Sequence, residues 1–207
     1  MAEAKKNTGK VELSYDKDKT LDLPVLEVTE GNKGYGIGSL LKETGNVSFD
    51  PGFVNTANTR SSVTYIDGAQ GILRYRGYPI DQLAGKASFL EVSYLLINGE
   101  LPSSEELEDF NTNIRKHTLL DEDFKSQFRV FPRDAHPMSV LASSLNILST
   151  YYQDSLDPLD KDNQKLNTYR LMAKVPMLAA YAYRASKGKP YMYPDNGQIG
   201  RHTSELQ

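Results

Sequence analysis

The chain has 207 residues, a formal net charge of −3 and a hydrophobic share of 39%. This length can bury a core, and no apolar run approaches the roughly 20 residues that a membrane-spanning helix needs. Because the sequence contains no cysteine, disulfides, thiolate zinc sites and a cysteine nucleophile are excluded. The basic residues are scattered, so nucleic acid is a poor candidate partner.

The pattern of apolar residues changes near residue 78 and predicts two domains. Residues 1–9 carry lysines with no apolar stretch after them, so we expect a disordered arm and not a secretory signal. Residues 10–77 consist of short β-branched and aromatic segments cut by turns, which is typical of a small β-rich domain. Beyond residue 78 the period shifts from two to about 3.6, which indicates a run of helices.

Two pairs of strands are predicted in the β-rich domain. VELSY at 11–15 and LDLPVLEV at 21–28 alternate apolar and polar residues on either side of a DKDKT turn. SSVTYID at 61–67 and GILRYR at 71–76 form a second, hairpin-like pair. Between the two pairs, GSLLKETG at 38–45 predicts one or two helical turns.

Two glycine-rich stretches raise the question of a phosphate-binding loop. GNKGYGIGS at 31–39 does not match the spacing of either standard nucleotide fingerprint, which favours a flexible connection. IDGAQGILRYRGYPIDQLA at 66–84 places Arg74 and Arg76 on one strand face, where they either bind an anion or pair with carboxylates. No glycine-rich turn leads directly into a helix N-terminus here, so ordinary pairing is the preferred interpretation.

Capping and stop signals mark the first helices of the second domain. A short helix is predicted just after Pro79, and a longer one at 88–99 ends at the stop signal Asn98-Gly99. Ser103 and Glu106 form a capping-box pattern at the start of a third helix. Apolar residues then recur on one face of that helix, at Leu107, Phe110 and Ile114.

Two further helices follow from apolar spacing. HPMSVLASSLNILSTYY, residues 136–152, is the clearest helix, and its inward face is predicted to carry Met138, Leu141, Leu145, Leu148 and Tyr152. After a predicted loop at 154–162, residues 163–188 form a long helix that Pro176 should kink. Its predicted inward face carries Leu171, Met172, Val175, Ala179 and Ala182.

The three histidines offer few candidates for a catalytic or metal-binding role. His117 ends a helix, His136 begins one and His202 lies in the tail, so the metal-binding spacing His-x-x-x-His is absent. His136 is a candidate catalytic group, but a histidine fixed at a helix start, with Asp134 as the cap, is the more common case. No serine lies in a Gly-x-Ser-x-Gly elbow. The residues alone therefore predict a soluble α+β protein with an undetermined site.

Several collinear segments resemble citrate synthases of the bacterial type. They extend over about residues 11–196 and follow the order in which the family has them. The resemblance implies that the glycine-rich segment at 66–84 is a structural junction and not a nucleotide-binding loop. The segments are FDPGF (49–53), TYIDGAQGILRYRGYPIDQLA (64–84), FLEVSYLLINGELP (89–102), HTLLDEDF (117–124), FPRDAHPM (131–138), YYQDSLD (151–157) and RLMAKVPMLAAYAYRASKGKPYMYPDN (170–196).

The resemblance implies a fold and an activity. The fold would be mainly α, with an incomplete helical large domain at 78–196 preceded by the β-rich domain at 10–77. The activity would be that of an acyltransferase, which condenses acetyl-CoA with oxaloacetate and water to citrate and CoA in the tricarboxylic acid cycle. Family members use an aspartate, two histidines and substrate-binding arginines for this, with no metal and no cofactor. The resemblance also implies a cytoplasmic homodimer or homohexamer without nucleic-acid or membrane partners.

The sequence departs from the family in its length and at its end. A complete member is about twice as long, and the family's His-Gly-Gly and Gly-His-Arg segments are absent, so we expect no catalytic residue and no activity in this chain alone. Residues 197–207, GQIGRHTSELQ, resemble nothing in the family, and a premature end is the preferred account. The alternatives are a non-catalytic fragment or interaction module that pairs with full-length subunits and, within the family, a 2-methylcitrate synthase.

The resemblance also points to a regulatory site. Some bacterial members bind NADH allosterically in this region, and Lys116 stands where NADH-sensitive members have arginine, whose planar fork lysine lacks. The alternative is that the matching residues are helix-end charges and core polar groups. The candidate NADH positions are His117, Thr118, Tyr152, Arg170 and Lys174.

Overall fold

The computed structural model describes residues 9–194. The predicted tail at 197–207, His202 and nearly all of the predicted N-terminal arm lie outside the described residues. The chain divides into two compact units, Met1–Gly77 and Tyr78–Gln207. It is mainly α-helical with small antiparallel β-structure near its N-terminus, which confirms the predicted fold class. Across residues 9–194, no helix has both the length and the apolar character that crossing a bilayer requires.

The N-terminal unit is built on short antiparallel strands. Strands β1, β2 and β3 form one sheet in that order, and β4 pairs with β5. Val11 lies opposite Leu23 across β1 and β2, so apolar side chains share one face of the predicted hairpin. The elements are β1 (Lys10–Asp16), β2 (Lys19–Leu26), β3 (Gly34–Tyr35), α1 (Leu40–Thr44), β4 (Thr64–Asp67) and β5 (Ile72–Tyr75).

The helical unit contains all of the longer helices among residues 9–194. Its regular elements are β6 (Tyr78–Pro79), α2 (Ile80–Leu83), α3 (Phe89–Asn98), α4 (Ser104–Arg115), α5 (Pro137–Leu148) and α6 (Lys161–Ser186). Turns of 3-10 helix lie at Asp123–Arg129, Ser149–Tyr151 and Gln153–Ser155. The helix predicted at 136–152 is therefore shorter as an α-helix, and α6 begins inside the predicted loop at 154–162.

Local signals begin and end α3 and α4. Ser103 and Glu106 form the predicted capping box at α4, and Ser88 and Glu91 form a second one at α3. Each box satisfies backbone N–H groups that a helix start leaves without partners. Gly99 ends α3 with a φ of +100°, a left-handed conformation that glycine adopts without steric cost. The stop signal predicted there is confirmed.

The buried face of α6 differs from the predicted one. Leu171 is 46% exposed, and Pro176 lies inside the helix, which continues to Ser186. The predicted phase was wrong because it followed the apolar residues alone and so did not include Lys174, which the structure buries. The buried residues of α6 are Ala173, Lys174, Met177, Leu178 and Tyr181.

The prediction for α5 was partly right. Leu148 is buried as expected, but Met138 in the first turn is exposed. Leu141, Leu145 and Tyr152 are partly buried against the core as predicted, and Val140 and Ser144 are buried in addition.

Two apolar clusters form the core of the helical unit, and α6 contributes to both. The smaller cluster joins Leu90, Phe110, Ile114 and Ala173, which confirms the inward face predicted for α4. The larger cluster joins the loop after α4, the first 3-10 helix, α5 and α6 through Leu120, Phe124, Phe128, Val140, Leu148, Met177, Leu178 and Tyr181. Helix α6 is therefore the element around which the unit packs.

Candidate functional site

The structure brings the five candidate NADH positions together in the helical unit, and we call them the cation cluster. His117 and Thr118 follow the end of α4, and Tyr152 lies between two 3-10 turns. Arg170 and Lys174 are four residues apart on α6, so they lie one helical turn from each other on the same face.

Lys174 is the centre of the cation cluster. Its side chain is buried, with the residue only 2% exposed, and its Nζ donates hydrogen bonds to the backbone carbonyls of His117 at 2.6 Å and Leu119 at 2.5 Å. Burial, and then the neighbouring positive charge of Arg170, lower the pKa of Lys174 to about 8. An ammonium group in this position ties the loop after α4 to α6.

Arg170 packs against an aromatic ring and a polar turn. Its guanidinium carbon lies 4.2 Å from the centroid of the Tyr152 ring, within the range of a cation–π contact. Its Nη1 donates to Ser155 Oγ at 2.6 Å and lies 3.5 Å from Asp154 Oδ1. The Lys174 Nζ is 5.6 Å from the centroid of the same ring, so both cations lie close to Tyr152.

The remaining members of the cation cluster are uncharged. Burial lowers the pKa of His117, and the charges of Arg170, Lys174 and Lys116 lower it further. The imidazole is therefore held toward its neutral form. Thr118 is buried, and its Oγ1 donates to the Arg115 carbonyl at 3.0 Å.

The hydrogen bonds of the cluster show how much capacity is left for a ligand. Two of the three Lys174 protons are used by carbonyls, and Arg170 Nη1 is used by Ser155. Arg170 Nε is buried without a hydrogen-bond partner in the described structure. The cluster is thus foremost a connection between the loop after α4 and α6.

His136 has the structural role that the sequence favoured. Its Nδ1 accepts a hydrogen bond from the Met138 N–H at 3.2 Å, and Pro137 follows as the first residue of α5. Asp134 was predicted to be the cap, but His136 itself fills that position. Within residues 9–194, no group of three or more His, Asp or Glu residues could hold a metal ion.

The arginines of the glycine-rich junction have partners inside the N-terminal unit. Arg74 Nε lies 3.2 Å from Glu30 Oε1, an ion pair whose alignment falls short of a hydrogen bond. Arg76 Nη1 donates to Ser62 Oγ at 2.8 Å. The interpretation of ordinary pairing, made for these residues in place of anion binding, is confirmed for Arg74. Arg76 likewise has a protein partner.

The neutral partners of the cation cluster were not predicted from the sequence. Ser155 and the backbone carbonyl of Leu119 accept from Arg170 and Lys174, and neither carries a sequence signal. A second polar cluster, in which Glu122 and Lys125 contact Tyr193, was not predicted either. The spacing of Glu122 and Lys125 by three residues was the one visible signal of that cluster.

Comparisons with a family model and with known proteins agree on one family. The family model described as the citrate synthase C-terminal domain matches residues 52–205. The chain is 67% identical to citrate synthase of Corynebacterium glutamicum over 180 residues, which are 87% of this chain and 41% of that protein. It is 57% identical to citrate synthase 1 of Mycobacterium tuberculosis over 176 residues, covering 85% of this chain and 41% of the relative. The chain therefore spans about two fifths of the length of these relatives.

Solved structures agree with this result. The crystal structure of citrate synthase from Thermotoga maritima matches with a TM-score of 0.63 and 28% identity, over 77% of this chain and 40% of that chain. Citrate synthase from Pyrobaculum aerophilum matches with a TM-score of 0.62 and 29% identity, over 79% and 44% respectively. Because the family model covers well over half of the residues, the chain belongs to the citrate synthase family.

Proposed function

We propose that this chain supplies the N-terminal part of a citrate synthase, which condenses acetyl-CoA with oxaloacetate and water to citrate and CoA in the tricarboxylic acid cycle. The observation that carries the proposal is the 67% identity to the Corynebacterium glutamicum enzyme over 180 residues. Likeness of fold alone would be a weaker argument, since one fold can host many functions. The bacterial relatives also support a cytoplasmic location.

The catalytic aspartate, histidines and substrate-binding arginines are proposed to lie outside these 207 residues. The two described histidines support this. His136 Nδ1 is occupied by the start of α5, and burial, with the neighbouring cations, lowers the pKa of His117. A general acid or base needs a free nitrogen near the substrate and a pKa near the working pH.

Complementation tests this proposal. The chain is mixed with the remaining, C-terminal part of the Corynebacterium glutamicum enzyme, and CoA release from acetyl-CoA is followed with oxaloacetate present. We expect the mixture to release CoA while each part alone releases none. Absence of release from the mixture, with both parts folded by circular dichroism, would contradict the proposal. Preference for propionyl-CoA in the same mixture would instead identify a 2-methylcitrate synthase.

A non-catalytic role in pairing with full-length subunits is favoured by a separate observation. The helical unit exposes several large apolar side chains, including Phe89, Val130 and Met138. Exposed apolar groups of this size mark interaction surfaces when they are contiguous. Co-purification with a tagged full-length relative tests this role, and no association at micromolar concentration would count against it. Sedimentation of the same complex would distinguish the proposed homodimer from a homohexamer.

The cation cluster is proposed to act first as a structural connection, and NADH binding at its five residues stays a prediction. Arg170 and Lys174 offer the positive charge that a dinucleotide phosphate needs, but Lys174 Nζ already donates to two backbone carbonyls and Arg170 Nη1 to Ser155. Titration with NADH, followed by its fluorescence, separates the two roles. Saturable binding that Arg170→Gln removes would assign the regulatory site, and no binding would leave the structural role.

A further inference from the structure

The chain reverses direction directly after α6. The turn uses Gly188, whose φ of +63° is left-handed, and the N–H of Lys189 donates to the Arg184 carbonyl at 2.8 Å. Arg184 Nε then donates to the Pro190 carbonyl at 2.5 Å. Residues 189–194, KPYMYP, therefore run back beside the last turns of the helix, and we call them the strap.

The first half of the strap is anchored in the core. The Tyr191 ring lies with its centroid 4.8 Å from that of Tyr181 and 6.0 Å from that of Phe128. The buried hydroxyl of Tyr181 donates to the Met192 carbonyl at 2.9 Å. Aromatic contacts of this kind add to the free energy gained by burial. Tyr191 thus packs against the larger apolar cluster, and the Met192 carbonyl is bonded to a member of that cluster.

The second half is held by polar contacts alone among those described. Tyr193 is 67% exposed, and its hydroxyl donates to Glu122 Oε1 at 2.9 Å. The same oxygen accepts from Lys125 Nζ at 2.6 Å, and that Nζ lies 4.3 Å from the centroid of the Tyr193 ring. Glu122 and Lys125 belong to the first 3-10 helix and its cap, about seventy positions from Tyr193 in the sequence.

The charges at this contact favour a closed state near neutral pH. The Lys125 side chain is only 14% exposed, so its ammonium depends on Glu122 for an anionic partner. Burial acts to lower the pKa of Lys125, but the hydrogen bond to Glu122 and the nearby tyrosines Tyr181 and Tyr193 raise it above its ordinary value. The hydrogen bonds from Lys125 and Tyr193 in turn hold the pKa of Glu122 below its ordinary value.

We propose that the strap is a two-part conformational device: Tyr191 seats it permanently in the core, and Tyr193 acts as a latch on Glu122 and Lys125. When the latch is closed, the direction in which the chain leaves the helical unit at Pro194 is fixed. When it opens, residues 193 and 194 move while the core cluster stays packed. The latch is the weaker part because its contacts are exposed hydrogen bonds and a cation–π pair, each of which contributes little in water.

Spin labelling tests the latch in the whole chain. Because the sequence has no cysteine, Met192→Cys provides a single labelling site next to Tyr193. We expect a largely immobile nitroxide spectrum for the labelled chain. A second, mobile component should appear on adding Glu122→Gln or Tyr193→Phe, since the first removes the negative charge of the shared acceptor and the second removes the donor hydroxyl. The matched control is Glu105→Gln, which changes an exposed carboxylate in the first turn of α4.

A second label tests whether the change in mobility is confined to the strap. A nitroxide at Leu171→Cys reports on α6 at a position that is already partly exposed, and it should not respond to the latch variants. Unchanged spectra at residue 192 in both Glu122→Gln and Tyr193→Phe would overturn the proposal. Mobilisation of the Leu171 label together with the residue 192 label would overturn it as well, because the contact would then support the whole unit.

Discussion

The two units of this chain differ in where their apolar side chains lie. Among the described residues, Leu23 is the only buried apolar side chain in 9–77, whereas the rest of the apolar core lies in 78–194. In the N-terminal unit Phe49, Phe53 and Val54 face outward, and Phe49 is 90% exposed. The helical unit is therefore held by a packed interior, and the N-terminal unit by strand pairing and turns. Equivalent substitutions should cost different amounts in the two units.

The largest difference is expected for apolar truncation. Phe124 is fully buried and makes edge-on ring contacts with Phe128 and Tyr151. We expect Phe124→Ala to lower the free energy of unfolding by about 3–5 kcal/mol, because it removes a large side chain and leaves a cavity. Leu23→Ala should cost about 2 kcal/mol, at the low end for a leucine. Urea unfolding followed by circular dichroism measures both, and equal losses would contradict the comparison.

The next effect concerns the buried cation of the helical unit. Lys174→Met leaves the carbonyls of His117 and Leu119 without their donor, at a cost of about 1–3 kcal/mol for each buried acceptor. Removal of a buried charge offsets part of this cost, so we expect the free energy of unfolding to fall by about 1–3 kcal/mol in total. Lys165→Met, on an exposed part of the same helix, is the matched control and should change little. A variant as stable as the parent would refute the connecting role of Lys174.

The same lysine predicts a pH dependence with a defined sign. Its pKa is about 8 in the folded chain against an ordinary value of 10.5, so between these pH values the unfolded chain holds a proton that the folded chain has lost. Unfolding then takes up a proton, and stability rises with pH by up to about 1.4 kcal/mol per pH unit from this group. Urea unfolding across this window should show the rise in the parent and not in Lys174→Met. Identical slopes would contradict the assignment.

The smallest loss of stability is expected at the capping box that begins α4. Ser103→Ala removes the side-chain oxygen that accepts the Glu106 N–H, so we expect a loss of about 1 kcal/mol. Ser104→Ala changes the neighbouring serine inside α4 and serves as the control. If both variants lose the same stability by urea unfolding, the capping box is not the cause.

Local signals were the predictable part of the fold. The beginning of α4 and the end of α3 follow from Ser103, Glu106 and Gly99, because capping depends on residues close in sequence. The end of α5 was not predictable from apolar spacing. There Ser149 and Thr150 hydroxyls donate to backbone carbonyls three residues earlier, and the chain tightens into a 3-10 turn.

Contacts between residues far apart in the sequence account for the features that were not predicted. The phase of α6 was missed because a lysine is rarely buried, and the carbonyls that accept Lys174 are more than fifty residues away. The resemblance placed all five members of the cation cluster, but not the carbonyls and the serine that they bind. The contact of Tyr193 with Glu122 spans 71 positions and also has no local signature.

Our central proposal is that the catalytic groups lie outside these 207 residues. The most direct measurement is CoA release from acetyl-CoA and oxaloacetate by the purified 207-residue chain at high concentration, with a full-length relative as the working control. The account predicts no release above the rate of the buffer. Measurable citrate formation by the chain alone would contradict it, and His136 and Asp134 would then be the first residues to substitute.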